Sequence, residues 1–108
     1  MRFYIKRGAV LPRLLFKVLD EQTGFPVDLT GASVSFKMKS LEDGSVLVNA
    51  GASVVNPSQG LVEYTWSAND TATAGVCIGE FDILFPDGST LTVPRKQSLE
   101  IWITEDVL

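Results

Sequence analysis

The sequence predicts an all-β protein, an immunoglobulin-like antiparallel β-sandwich of about eight short strands. Apolar residues recur at every second position through most of the chain, which is the period of a half-buried strand. Turn-forming residues interrupt these segments roughly every 8–12 residues, a spacing typical of two-sheet sandwiches. The 108 residues predict a single domain, residues 1–108, because a chain of this length buries enough surface to form its own core.

The first half of the chain supplies short apolar segments separated by glycine, proline and aspartate. The predicted strands are residues 3–5, 13–19, 33–39, 46–48 and 52–55. Residues 13–19 are apolar on both parities, which predicts a strand that is covered on both faces. Residues 33–39 alternate strictly, so one face of this strand meets the core and the other meets water. The segment 49–51 predicts a break between two separate strands.

The second half continues with residues 61–66, in which Val62, Tyr64 and Trp66 share one parity and predict an aromatic part of the core. Small and capping residues follow, and residues 69–71 predict one helical turn. The last predicted strand covers residues 99–103, where apolar and polar residues alternate again.

The longest alternating segment, residues 75–94, lies between the predicted helical turn and the last predicted strand. It predicts a hairpin with its turn at Asp87-Gly88. The residues of its first strand that are predicted to face the core are Cys77, Gly79, Phe81, Ile83 and Phe85. We expect Gly79 to stand where a neighbour leaves no room, so that valine at this position would overpack the core.

Composition and charge exclude several classes of partner. The net charge of −4 argues against nucleic acid, which favours a basic surface with stacking aromatic groups. No apolar run is long enough to span a membrane or to form the core of a signal peptide, so we expect a soluble protein made in the cytoplasm, with no membrane partner. Cys77, the single cysteine, is predicted to be a small buried apolar residue.

The charge is unevenly distributed along the chain. The first 39 residues contain seven Lys and Arg against three Asp and Glu, whereas the remaining residues contain two against ten. Strands from the two halves of a sandwich interleave, so one interpretation is that these charges neutralise each other within the domain. The alternative is a head-to-tail or subunit contact between surfaces of unlike charge.

The sequence lacks the residues that most catalytic and metal-binding sites use. Histidine is absent and there is one cysteine, which excludes a Cys/His metal cluster and a Ser-His or Cys-His catalytic pair. Glu80 and Asp82 lie two apart on one strand face, and a solvated sheet face explains them better than a metal or acid–base site. We therefore predict no catalytic, cofactor-binding or metal-binding residue, no cofactor, and no enzymatic activity.

Apolar residues on the outward parity are the candidate functional residues. If Phe81 and its neighbours face the core, Ile78 and Leu84 face outward, and Trp102 does so on the last strand. The predicted interface residues are Ile78, Leu84, Trp102 and Leu61. A contiguous apolar patch on a soluble domain usually marks a partner surface. Scattered surface residues, or a sugar-stacking platform at Trp102, are the alternatives.

Motifs spread over almost the whole chain resemble a known family. The residues that carry the resemblance are 24–32 (Gly-Phe-Pro-Val-Asp-Leu-Thr-Gly-Ala), Val34, Phe36, Met38, Gly60, Val62, Tyr64, Trp66, Asp70, Thr71, Gly75, Glu80, Phe81 and 85–88 (Phe-Pro-Asp-Gly). The chain resembles the N-terminal domain family of phage baseplate upper proteins. It departs from the family's pattern at Cys77, where the family prefers an aromatic residue, and at Ala9, where it prefers an acid.

The resemblance implies an immunoglobulin-like module with a structural role in a tailed-phage virion. Because the chain ends at Leu108 without a stalk or receptor-binding region, we expect a small virion component on the tail, the baseplate or the head. Its expected partners are other virion proteins and further copies of itself, and it would be made in the host cytoplasm. A carbohydrate-binding host-adhesion module, with a host glycan as its ligand, is the alternative.

Overall fold

The computed structural model describes residues 1–105, and within them the chain forms eight strands and one short 3-10 helix. The strands are β1 (Arg2–Lys6), β2 (Leu14–Lys17), β3 (Ser33–Ser40), β4 (Val46–Asn56), β5 (Leu61–Tyr64), β6 (Gly75–Leu84), β7 (Thr90–Val93) and β8 (Leu99–Thr104), and the helix is Ala68–Thr71. The predicted all-β, immunoglobulin-like sandwich of about eight strands is confirmed.

The larger sheet is built around β6. β3 lies antiparallel on one side of β6, and on the other side β8 pairs with its first half and β7 with its second half. β1 adds to the outer edge of β8 in parallel orientation, which is an exception to the predicted antiparallel arrangement. The first part of β4 closes the other side of this sheet beside β3.

The smaller sheet begins where β4 leaves the larger one. The first part of β4 pairs with β3, whereas Ser53, Val54 and Asn56 pair with β5. β5 then pairs with β2, which is the edge strand of the smaller sheet. Because β4 belongs to both sheets, it connects them along one side, while β2 and β7 remain at free edges.

Aromatic side chains fill the space between the two sheets. The ring of Phe16 on β2 stacks on Phe81 of β6, with 5.3 Å between the centroids. Phe36 on β3 lies 4.8 Å from Tyr64 on β5 and 4.9 Å from Phe81. Cys77, Gly79, Phe81 and Ile83 all point into this layer, as their shared parity predicts. Trp66 is also buried, edge-on to Phe36.

The 3-10 helix is held by three polar contacts. Asp70 accepts hydrogen bonds from the Tyr64 hydroxyl at 2.6 Å and from the Ser67 amide at 2.9 Å. Burial and the neighbouring Asp70 carboxylate both raise the pKa of Tyr64, so its hydroxyl stays a donor. Thr71 donates to the carbonyl of Ala9. The helical turn predicted at residues 69–71 is therefore present.

Two predictions about individual strands are wrong. Residues 13–19 are not covered on both faces: β2 is an edge strand, and Leu15 on its outer face is 50% exposed. Residues 46–55 do not form two strands with a break, because β4 runs without interruption through Gly51. Pairing with β3 on one side holds Asn49, Ala50 and Gly51 in extended conformation despite their low strand propensity.

The helix content is small. Among residues 1–105, no helix has the length and apolar character that crossing a membrane requires.

Candidate binding groove

Two of the predicted interface residues lie side by side on the outer face of the larger sheet. Trp102 on β8 pairs with Val76 of β6, and Ile78 pairs with Glu100, so Ile78 and Trp102 are diagonal neighbours. Tyr4 on β1 pairs with Trp102 from the other side, and their rings are 6.0 Å apart. Tyr4 is not among the interface residues predicted from the sequence, because the sequence does not show that β1 pairs with β8.

The other two predicted interface residues lie elsewhere. Leu84 is six residues from Ile78 along β6, and the polar side chains of Glu80 and Asp82 stand between them on the same face. Leu61 is on β5, in the other sheet. The prediction of one contiguous patch from Ile78, Leu84, Trp102 and Leu61 is therefore wrong, because matching parity does not place residues in the same sheet.

Trp102 is already engaged by its own neighbours. Its indole N–H donates to Glu100 at 2.9 Å, and the guanidinium of Arg2 lies 4.9 Å from the ring centroid. Glu100 also accepts from Arg2 Nε at 3.1 Å. The hydrogen bond from Trp102 and the charge of Arg2 lower the pKa of Glu100. The guanidinium of Arg2 therefore lies over one face of the indole.

Polar groups dominate the rest of this face. Lys37 and Asp82 form an ion pair at 3.0 Å, and Thr92 donates to the second oxygen of Asp82 at 2.6 Å. The Thr92 hydroxyl and then Lys37 hold the pKa of Asp82 below its ordinary value, and Asp82 raises the pKa of Lys37. The outward carboxylate of Asp82 thus supports the sheet, which agrees with its interpretation as part of a solvated face.

This ion pair predicts a pH dependence of stability. Because the folded-state pKa of Asp82 is lowered, its contribution is present above the unfolded value of about 4 and is lost as the pH falls through the folded value. The raised pKa of Lys37 sets the upper limit: that contribution is complete below about 10.5 and is lost above it. We expect Asp82→Asn to cost up to about 1 kcal/mol at neutral pH, since the pair is partly exposed.

The measurement for this pair is urea denaturation at neutral pH and below pH 3. The difference between Asp82→Asn and the unmodified protein should shrink at the acidic pH. Glu63→Gln, on the outer face of the smaller sheet, is the control and should leave the midpoint unchanged. An equal cost of Asp82→Asn at both pH values would contradict the ion-pair explanation.

A groove of about 460 Å³ lies between the free edges of the two sheets. We call it the β2–β7 groove. Its apolar surface comes from Met1, Phe16, Leu19, Val93 and Pro94, and its polar border from Lys17, Asp20, Glu21, Lys96 and Gln97. The segments 19–24 and 93–97 bring these residues together, although they are far apart in the sequence.

The groove continues into a second hollow of about 260 Å³, which shares Leu19, Asp20, Glu21 and Val93 with it and adds Leu91 and Arg95. At their junction the backbone N–H of Arg95 donates to Glu21 Oε1 at 3.2 Å. This bond connects the loop after β2 with the segment after β7. The two hollows together are lined by residues of both edge strands and of the segments that follow them.

The charged side chains at the border of the groove differ in the hydrogen bonds and ion pairs that they form. The carboxylate of Asp20 accepts from the backbone N–H groups of Gln22 and Thr23, and Glu21 accepts from Arg95. Lys17 and Lys96 are exposed and form no ion pair within residues 1–105. The border therefore combines two carboxylates that accept backbone hydrogen bonds with two lysines that form no ion pair in this part of the chain.

Residues with catalytic or metal-binding potential do not converge. Within the described residues, no group of three or more His, Cys, Asp or Glu side chains is placed to hold a metal ion. Cys77 is buried in the core, where burial raises the pKa of its thiol and suppresses the reactive thiolate. The buried position predicted for Cys77 is confirmed.

The architecture is that of an immunoglobulin-like β-sandwich with a groove along its open edge. No family model matches the chain, and no curated protein matches it. Among solved structures, the chain is similar to CopC from Methylosinus trichosporium OB3b, with a TM-score of 0.56. The match covers 97% of this chain and 85% of CopC at 13% sequence identity. At this identity, the likeness establishes the shared fold.

The prediction of a structural component of a tailed-phage virion is wrong, as is its alternative of a carbohydrate-binding host-adhesion module. The finding that overturns them is the structural likeness to CopC. The resemblance to phage baseplate proteins, the virion partners and the virion location stay predictions.

The residues of this chain do not provide a copper site. Imidazole, thiolate and thioether groups are the protein ligands that suit copper. This chain has no histidine, and both Cys77 and Met38 are buried in the core. Met1, the other methionine, lines the β2–β7 groove without a second soft ligand beside it.

Proposed function

We propose that this protein is a non-enzymatic binding domain that holds an apolar segment of a polypeptide in the β2–β7 groove. The observation that carries the proposal is the groove itself, with its apolar floor and the two lysines of its border, Lys17 and Lys96. Its volume lies within the range of about 300–1,000 Å³ that is typical of ligand sites. The absence of histidine and the buried thiol of Cys77 favour binding over catalysis.

The strand edges beside the groove favour a polypeptide. The two hollows adjoin each other and share Leu19, Asp20, Glu21 and Val93. In the described residues, β2 pairs only with β5, and β7 only with β6. Each strand therefore keeps one edge whose backbone N–H and C=O groups are able to pair with an added strand.

The composition of the ligand follows from the composition of the groove. Leu19, Val93 and Pro94 offer apolar contact, so the ligand should present apolar side chains. Lys17 and Lys96 stand at the border without an acidic partner, so carboxylates beside those apolar residues should strengthen binding. We therefore expect segments in which apolar residues adjoin Asp or Glu to bind best.

The test is an array of synthetic peptides in which apolar residues alternate with Asp, Ser or Lys, probed with the labelled protein. We expect the Asp series to bind and the Lys series to fail. Leu19→Asp should weaken binding at least about tenfold, because it places a carboxylate in the apolar floor. Leu19 is 42% exposed, so the change should be tolerated by the fold.

The matched control is Leu84→Asp. Leu84 is 49% exposed, lies on the outer face of the larger sheet and does not line the groove. It should leave peptide binding unchanged. Equal effects of Leu19→Asp and Leu84→Asp, or equal binding of the Asp and Lys series, would remove the groove from the proposal.

A further inference from the structure

The turn between β3 and β4 forms a second exposed feature, which we call the hairpin tip (residues 41–47). Three large apolar side chains are exposed in this short segment: Leu41 at 59%, Val46 at 67%, and Leu47. Two acids, Glu42 and Asp43, stand among them. A compact group of exposed apolar residues on a soluble domain usually marks a contact with a partner.

The hairpin tip has the composition that the β2–β7 groove favours. The turn is rigid, because Gly44 donates to the carbonyl of Ser40, and Asp43 accepts from both the amide and the hydroxyl of Ser45. Within residues 1–105, the side chain of Glu42 makes no hydrogen bond or ion pair. The tip thus presents a free carboxylate beside Leu41 and Val46.

The tip and the groove of one molecule are separate surfaces. None of residues 41–47 lines either hollow of the groove. The backbone N–H of Leu41 donates to the carbonyl of Val76, whereas Val93 in the groove pairs with Phe81, five residues further along β6. Because a strand rises about 3.3 Å per residue, these two points lie about 17 Å apart along β6. The tip, whose turn is held by its own hydrogen bonds, therefore does not occupy the groove of its own molecule.

We propose that the ligand of the β2–β7 groove is the hairpin tip of a second copy of this chain. This inference rests on the proposed function of the groove. Glu42 would meet Lys17 and Lys96, which are the border cations without an acidic partner. The apolar side chains of the tip would cover Leu19 and Pro94.

The proposed contact joins two different surfaces, so it is heterologous. Repetition of a heterologous contact produces a closed ring or an open filament. In this arrangement Lys17 and Lys96 on one surface attract Glu42 on the other. The same attraction predicts that association weakens as salt screens the charges.

The test is sedimentation velocity over a concentration series at low and high salt. We expect species heavier than the 11.7 kDa chain at low salt, and a shift toward the single chain at high salt. Glu42→Lys and Lys96→Glu should each weaken association about tenfold or more. Glu63→Lys, on the outer face of the smaller sheet, is the charge-matched control and should leave association unchanged.

A mixture of the two charge-reversal variants distinguishes the proposed head-to-tail contact from a symmetric one. Glu42→Lys keeps an intact groove, and Lys96→Glu keeps an intact tip, so an equimolar mixture contains one complete pair of surfaces. We expect the mixture to form a heterodimer, although each variant alone remains a single chain. A mixture that stays as single chains would overturn the head-to-tail arrangement.

The outcomes also separate this inference from the function on which it rests. An unmodified protein that stays a single chain at every concentration and salt would exclude the second copy as the ligand. Peptide binding that depends on Leu19 would then still support the groove as a binding site for another polypeptide. If the protein stays a single chain and peptide binding does not depend on Leu19, both proposals are overturned.

Discussion

We expect Phe81→Ala to lower the free energy of unfolding by about 3–5 kcal/mol, which is the range for a buried phenylalanine. Phe81 is fully buried at the centre of the sandwich. Its ring contacts Phe16 of the smaller sheet, at 5.3 Å, and Phe36 of its own sheet, at 4.9 Å. Removing the ring leaves a cavity between the two sheets that the remaining rings are too constrained to fill.

Chemical denaturation with fluorescence detection measures this loss, since the buried Trp66 reports on the core. Leu84→Ala is the control on the same strand: Leu84 points to solvent, and its replacement should change stability by no more than about 0.5 kcal/mol. A cost below about 1 kcal/mol for Phe81→Ala would mean that Phe81 does not hold the two sheets together.

We expect Gly79→Val to destabilise the fold by about 3 kcal/mol or more, at the upper end of the range for overpacking. A Cβ atom at Gly79 would lie 2.9 Å from two ring carbons of Phe36 and 3.1 Å from Ile101 Cδ1. The ring of Phe36 is itself enclosed by Tyr64 and Phe81, so it has little freedom to move. The two further methyl groups of valine increase the conflict.

Gly51→Val is the matched control, because Gly51 also lies in a strand but has open space where its Cβ would stand. Valine favours strands, so this variant should be neutral or slightly more stable. Thermal unfolding of both variants gives the comparison. Similar melting temperatures for Gly79→Val and Gly51→Val would contradict the crowding at Gly79 that the sequence predicts.

The location of the core was predictable from the sequence because it depends on a local rule. Side chains alternate between the two faces of a strand, so a single correct parity assignment orients a whole segment. Cys77, Phe81 and Ile83 followed from one such assignment, and Val62, Tyr64 and Trp66 from another. The crowding at Gly79 also followed, since glycine on an apolar parity indicates that a neighbour takes its space.

The partners of each strand were not predictable in the same way. Parity identifies an outward residue but not the sheet to which it belongs, which is why Leu61 was wrongly grouped with Ile78 and Trp102. Leu84 does share a strand with Ile78, but Glu80 and Asp82 separate the two on the same face. The continuity of β4 depends on β3, which supplies hydrogen bonds to a segment of low strand propensity. Tyr4 lies beside Trp102 only because β1 joins β8, two strands that are about as far apart in sequence as this chain allows.

The sequence by itself determined the all-β class, the parity of the core strands, the absence of histidine and the hairpin turn at Asp87-Gly88. These properties follow from the composition and from contacts between near neighbours. The tertiary structure decided where the free edges lie, and therefore where the β2–β7 groove forms. Leu19 and Val93 line that groove together because β2 and β7 end the two sheets on the same side of the core, an arrangement set by packing over the whole chain.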